Sequence, residues 1–153
     1  MLSRYEQFSF VISSIYHSIQ RIERSEMIKY GFKGAFAQYL AALTRYPEGL
    51  TLPEICELCE KDKAAVSRAL ADMESQGLIC RIAAEGRDSR YRAKICLTEE
   101  GKKISDVVCQ RAREVVGDVS DLTAEQRASF YEALGSIATR LERVNREHDS
   151  GEK

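Results

Sequence analysis

The sequence predicts a mainly α-helical chain with one small β-hairpin, and three observations lead to this fold class. Apolar residues recur three and four positions apart in several segments of the 153-residue chain, as on the buried faces of helices. Residues 78–82 alternate like a strand, and residues 91–97 return after a polar turn. Directly before them, residues 51–76 contain a short helix, a tight turn and a second helix. Helix, turn, helix and hairpin in this order predict a winged helix-turn-helix.

A heptad stripe marks a long predicted helix at each end of the chain. Residues 5–28 carry the first, and a predicted capping box of Thr123 and Gln126 opens the helix that carries the second. The stripes are Phe8, Ile12, Ile15, Ile19 and Ile22, and Phe130, Leu134, Ile137, Leu141 and Val144. Matching stripes favour a homodimer, although heptads this short also fit a pairing of both ends within one chain.

Three more helices are predicted between the stripes from their apolar spacing and their caps. The first carries Phe36, Tyr39, Leu40 and Leu43. The next begins at the capping box of Thr51 and Glu54. Asp62 is the predicted N-cap of helix 63–76, and Gly77 ends it. The buried face of that helix is predicted to be Val66, Ala69, Leu70 and Met73. After the hairpin, Thr98 is the predicted cap of a further helix.

The outward face of helix 63–76 suggests that it contacts DNA. Small residues on this face let the helix approach a surface closely, and Ser67 and Arg68 are donors that suit base edges in a major groove. The predicted face is Ala64, Ser67, Arg68 and Ala71. The alternative is that Arg68 only pairs with Asp72, four residues on, and supports the helix.

Charge is distributed unevenly along the chain, whose net charge is −1. Residues 61–94 carry eight basic and five acidic side chains, a net +3, so the remainder carries −4. A local basic surface is sufficient to attract phosphate, because ions screen charges beyond about 8 Å at physiological salt. The predicted DNA contacts lie in the helix and in the wing, residues 84–92. They are Lys63, Ala64, Ser67, Arg68, Arg87, Asp88, Arg90 and Arg92.

The chain resembles the multiple antibiotic resistance regulator (MarR) family of bacterial transcription factors over nearly its whole length. The resemblance rests on Ala65-Val66-Ser67-Arg68, Leu70, Met73, Gly77-Leu78-Ile79, Arg81, Asp88-Ser89-Arg90 and Leu97-Thr98-Glu99-Glu100-Gly101. Between Asp88 and Leu97 the chain is one residue longer than the family pattern. Either Arg90 or Arg92 therefore occupies the tip of the wing.

The resemblance implies a regulator, expected to be a repressor, that acts as a homodimer on a palindromic operator in double-stranded DNA. Residues 1–30 and 99–147 are then the dimerisation helices, and residues 32–98 are the winged helix-turn-helix DNA-binding domain. In the family, a cleft between these parts holds small aromatic or phenolic effectors. The aromatic residues that fit such a pocket are Tyr5, Phe8, Tyr16, Phe36 and Tyr39, with core packing as the alternative.

Five cysteines leave a second type of regulator to consider. Cys56 and Cys59 have the spacing of a metal or redox pair, but no second pair lies nearby, so burial is the expectation. Cys80, Cys96 and Cys109 are interpreted as small hydrophobic residues, with Cys96 on the outer side of its strand. The alternative is a metal- or thiol-sensing regulator that uses Cys56 and Cys59, or Cys109.

Reversible oxidation is not expected to be the main switch. No cysteine lies in the first helix, and none except Cys109, near Arg111 and Arg113, has an obvious cationic neighbour at helical spacing, the kind of neighbour that lowers a thiol pKa. The predictions therefore include no cofactor and no metal.

The sequence argues against an enzyme and against a membrane protein. It has two histidines, no glycine-rich phosphate loop and no His-Glu-x-x-His motif. No apolar run approaches the roughly 20 residues that span a bilayer, and no secretory signal is recognisable. A cytoplasmic location is the expectation.

Overall fold

The computed structural model describes residues 3–83, 92–117 and 121–151. The chain divides into two compact units, Met1–Val115 and Val116–Lys153. The elements are helices α1 (Arg4–Lys29), α2 (Ala37–Arg45), α3 (Leu52–Cys59) and α4 (Lys63–Ser75), strands β1 (Ile79–Ile82) and β2 (Lys94–Leu97), and helices α5 (Glu99–Val116) and α6 (Ala124–Gly151). A 3-10 turn, Gly34–Phe36, precedes α2. The predicted fold class, mainly α with a small hairpin, is confirmed.

Local hydrogen bonds at the predicted caps explain where the helices begin. The backbone N–H of Thr51 donates to Glu54 Oε2 at 2.6 Å, and the N–H of Ala65 donates to Asp62 Oδ1 at 2.9 Å. At α5, the N–H of Gly101 donates to the hydroxyl of Thr98 at 3.0 Å. Because these side chains satisfy first-turn donors that have no intrahelical partner, the predicted start points are confirmed.

The end of α4 also follows the prediction. Gly77 adopts a left-handed conformation, φ +74°, and the N–H of Leu78 donates to the Met73 carbonyl at 2.9 Å. This arrangement caps the last turn of the helix and buries Leu78 fully. The first strand consequently begins at Ile79, one residue later than predicted. The second begins at Lys94, and its predicted start at residue 91 lies outside the described residues.

The two strands form an antiparallel hairpin that is extended by one bridge. Ile79 lies opposite Leu97, and Arg81 lies opposite Ile95. On the other edge of β2, Leu50 and Ile95 exchange two backbone hydrogen bonds, of 3.0 and 2.8 Å. No local sequence pattern predicted this bridge. It joins the segment before α3 to the base of the wing.

One hydrophobic core holds α2, α3, α4 and the hairpin together. The predicted face of α4 is buried at Val66, Leu70 and Met73, while Ala69 is partly buried. Ile55 of α3 and Ile95 of β2 are also fully buried. This packing fixes one side of α4, so its opposite side is presented outward.

Gly101 provides a test of how closely α5 approaches the hairpin. A Cβ atom at this position would overlap the carbonyl oxygen of Leu78 and lie 3.3 Å from Leu97 Cδ2. We expect Gly101→Ala to lower the free energy of unfolding in urea by about 1–3 kcal/mol, the usual cost of overpacking. Gly135→Ala is the matched control, because a Cβ there meets nothing within 4 Å. Equal effects of the two substitutions would contradict the close approach.

Candidate nucleic-acid interface

The predicted outward face of α4 is accessible in the structure. Ala64, Arg68 and Ala71 are exposed, and Ser67 is partly exposed. The opposite face is fully buried at Val66 and elsewhere. Side chains small enough for close approach thus flank one long cationic side chain.

Arg68 is not held by the partner that the sequence offered it. The carboxylate of Asp72 forms a salt bridge with the ammonium group of Lys33. The alternative pairing of Arg68 with Asp72 is therefore not observed. Asp62, the N-cap, has a pKa below its ordinary value, chiefly because the Ala65 N–H donates to it, with the charge of Arg68 as a smaller cause. Arg68 thus extends from a helix anchored by other residues.

Two ion pairs reduce the basic surplus counted from the sequence. The guanidinium of Arg81 donates to Glu74 Oε2 at 2.9 Å, and Lys94 Nζ lies 3.5 Å from Glu54 Oε2. Both pairs are partly solvated, so each contributes little to stability but neutralises charge locally. Cationic side chains that are exposed near α4 and the hairpin are Lys61, Lys63, Arg68 and Arg92.

Of the predicted wing, residues 84–92, the structure describes Arg92 at its base. Arg92 is exposed and lies two residues before β2. The other predicted wing contacts, Arg87, Asp88 and Arg90, lie outside the described residues. The choice between Arg90 and Arg92 for the tip stays a prediction.

A cavity of about 640 Å³ lies where α1 faces α2 and the end of α3. Of the five aromatic residues predicted for an effector pocket, Tyr16 lines it. Phe36 and Tyr39 are buried in the core, Tyr5 is 75% exposed and Phe8 is partly buried. The structure therefore separates these five residues. Charged lining residues that the aromatic pattern did not indicate are Glu23, Arg24, Arg45 and Glu60.

Burial controls the protonation of the groups around this cavity. It raises the pKa of Glu23, and the thiol of Cys109, 3.7 Å from Glu23 Oε1, opposes that rise by donating a hydrogen bond. Burial likewise raises the pKa values of the Cys59 and Cys109 thiols. A thiol with a raised pKa is a poor nucleophile at neutral pH, which weakens the interpretation of these cysteines as sensors. Within the described ranges, no three potential metal ligands of the His, Cys, Asp or Glu type lie together.

The heptad stripes of both terminal helices carry exposed apolar side chains. On α1, Ile12 and Ile15 are 40% and 49% exposed. On α6, Leu141 is 58% exposed, and the helix has no buried residue among those whose side chains are described. These stripes are thus surfaces suited to a protein partner.

No described helix has the length and apolar character needed to cross a membrane.

Comparison with known proteins finds one family model that is similar to the segment from α2 into the wing. Residues 30–90 match a family model described as MarR family. No curated protein sequence matches the chain.

Solved structures with the same fold cover nearly the whole chain. The MepR–DNA complex of S. aureus is 22% identical, with 91% of this chain and 99% of that chain covered and a TM-score of 0.64. A MarR transcriptional regulator from Methanosarcina mazei Go1 is 20% identical, with 91% and 99% covered and a TM-score of 0.68. Staphylococcus aureus MarR in complex with salicylate and kanamycin is 15% identical, with 91% and 93% covered and a TM-score of 0.68.

Proposed function

We propose that this chain is a MarR family transcriptional regulator that binds double-stranded DNA sequence-specifically and represses transcription as a homodimer, because residues 30–90 match the MarR family model and the fold is shared with solved MarR regulators. The observation that carries this proposal is the outward face of α4. Small side chains and the exposed guanidinium of Arg68 lie there, on a helix whose other face is buried in the core. In S. aureus, MepR, which shares the fold, has been solved as a DNA complex.

The proposed binding geometry places α4 in a major groove. A helix fits that groove, and guanidinium groups there recognise guanine O6 and N7. Residues 84–92 then lie beside the adjacent minor groove, where groove width and negative potential attract arginine more than base identity does. Arg68 therefore supplies specificity, while wing arginines such as Arg92 supply affinity.

Dimerisation is supported by the exposed stripes of α1 and α6. Apolar side chains at heptad spacing lose unfavourable contact with water when a second copy covers them. We propose that both stripes pair with the partner subunit in a two-fold interface. Such a dimer presents two copies of α4 to one face of the DNA.

A selection from random-sequence DNA tests the function directly. Two-fold symmetry predicts that the retained sequences contain a palindrome with half-sites centred about 10 base pairs apart. Footprinting of the selected site should protect both halves equally. Recovery of unrelated sequences, or of a single protected half-site, would contradict specific binding by a dimer.

Effector control is the second part of the proposal, and the cavity beside Tyr16 supports it. Its volume suits a small molecule, and Arg24 and Arg45 among its lining residues suit an anionic group. Staphylococcus aureus MarR, of the same fold, was solved with salicylate, an aromatic carboxylate. We therefore propose that a small aromatic anion binds here and releases the DNA.

The cavity is tested with salicylate as the probe. We expect salicylate to bind the parent protein, measured by calorimetry, and to weaken its affinity for the selected operator. Arg45→Ala should weaken salicylate binding about tenfold or more through loss of a charge-assisted hydrogen bond. Arg113→Ala is the control, because Arg113 pairs with Asp106 outside this cavity. Equal binding by parent and Arg45→Ala would contradict this assignment.

A further inference from the structure

Two cysteines that are 16 residues apart lie directly opposite each other at the base of the wing. Cys80 of β1 is the register partner of Cys96 of β2. Successive residues of a strand direct their backbone N–H and C=O groups to opposite edges. Ile95 exchanges both of its backbone hydrogen bonds with Leu50 on one edge of β2, so the backbone groups of Cys96, the next residue, face β1 on the other edge. Cys80 and Cys96 therefore form a hydrogen-bonded pair, with Cα atoms about 5.5 Å apart. Disulfides are most common at a Cα separation of about 5.5–6 Å.

Both thiols lie on the outer face of the hairpin. Ile79 and Ile95 are buried on the inner face, and the alternation of a strand directs Cys80 and Cys96 to the other side. Cys80 is exposed and Cys96 is partly exposed, so the interpretation of Cys80 as a small hydrophobic residue that packs inside the protein is wrong. Cys96 Sγ lies beside Gly49, 2.5 Å from where a Cβ of that residue would be. Rotation about one side-chain torsion moves this sulfur toward Cys80.

Two lysines lie near the pair, Lys94 on the same strand as Cys96 and Lys102 on α5. The pKa of the Cys96 thiol is raised, chiefly by burial and then by the nearby Cys80 and Glu48, while the charges of Lys94 and Lys102 oppose the rise. Lys102 belongs to the first turns of α5 and also interacts with Cys80. The expectation that oxidation is not the main switch rested on basic neighbours at helical spacing. It left out Lys94, two residues along the same strand, and Lys102, which the fold brings near the pair from α5.

We propose that Cys80 and Cys96 are a redox-active dithiol that closes to an intrachain disulfide on reaction with a hydroperoxide. The exposed Cys80 thiolate attacks a peroxide oxygen, the O–O bond breaks, and Cys80 sulfenic acid and one water or alcohol result. Cys96 sulfur then attacks Cys80 sulfur, the S–O bond breaks, and water leaves with the thiol proton. The two thiols lose two electrons in total, and one peroxide gains them. A small thiol reverses the reaction by exchange.

The disulfide has a consequence for DNA binding that rests on the proposed function. Directly opposite Cβ atoms lie about 4.5–5.5 Å apart, whereas a disulfide requires about 3.5–4.5 Å. Closing the bond therefore draws the strands together at the base of the wing and shifts the end of β1 at Ile82 relative to the start of β2 at Lys94. The strained bond is also easier to reduce, which makes the change reversible.

The test uses a variant that keeps this pair and replaces Cys56, Cys59 and Cys109 with alanine. Treatment with hydrogen peroxide should consume both thiols, remove the mass of two hydrogen atoms and join the Cys80 and Cys96 peptides within one chain. Dithiothreitol should restore both thiols. The same protein with Cys80→Ser is the control and should form no such bond. Thiols that stay free, a bond between two chains, or sulfinic acid at Cys80 would overturn the proposal.

DNA affinity is measured on the same samples with the selected operator. The oxidised protein should bind about tenfold or more weakly than the reduced one, with no change in the Cys80→Ser control. Equal affinities would overturn the regulatory role while leaving the disulfide established. If the reduced protein binds no DNA, the proposed function fails, and the peptide map still decides whether the dithiol exists.

Discussion

Replacing Ile15 with glutamate is expected to convert the dimer into monomers of 17.3 kDa. Ile15 lies in the middle of the α1 stripe, and half of its side chain is exposed in the single chain. In the proposed dimer this side chain is covered by the partner, so a carboxylate there is buried without a counter-ion. That burial costs several kcal/mol in each subunit. Light scattering across a concentration series measures the result.

Ile28→Glu is the matched control for this substitution. Ile28 is 65% exposed and lies on the face of α1 opposite the stripe. It should leave the dimer intact and the folded signal in circular dichroism unchanged. The Ile15 variant should also lose nearly all operator affinity, since one α4 helix contacts one half-site. A dimeric Ile15→Glu protein would contradict the proposed interface.

Arg68→Ala is expected to weaken operator binding and to flatten the preference at one base position in each half-site. A guanidinium that contacts guanine O6 and N7 contributes about 1–3 kcal/mol of discrimination, a factor of roughly 5–150. Arg68 is exposed on the outward face of α4, so its guanidinium can reach a base edge. Repeating the selection with the variant shows whether that position loses its preference.

Two comparators separate specificity from general affinity. Arg68→Lys keeps the charge but loses the forked donors, so it should retain nonspecific binding and still lose preference. Arg90→Ala, in the predicted wing, should weaken binding to most sequences and reduce the salt dependence by about one phosphate contact. A position-by-position preference for Arg68→Ala identical to that of the parent protein would reject the assignment.

The sequence was sufficient to predict features that depend on neighbouring residues. The caps at Asp62 and Thr98, the stop at Gly77 and the buried face containing Val66 are each determined within one or two helical turns. Periodicity and cap chemistry act over this range. The same pattern predicts the outward face of α4, because the residues that do not belong to the buried face must point away from the core.

Contacts between distant residues were beyond this kind of prediction. Asp72 pairs with Lys33, 39 residues earlier, and not with a neighbour on its own helix. Cys80 and Cys96 lie opposite each other because of the register of the two strands. The bridge between Leu50 and Ile95 holds β2 on its other edge. No local pattern encodes such pairings, because the core packing of several elements decides them.

Methylation interference on the selected operator tests most directly whether α4 lies in the major groove. Guanine N7 faces the major groove and adenine N3 faces the minor groove, so methylation of each reports a different contact. The account predicts that N7 methylation of a guanine in each half-site blocks the parent protein, at symmetric positions, and that Arg68→Ala loses this sensitivity at that guanine. Binding that is unaffected by guanine N7 methylation throughout both half-sites would contradict the account.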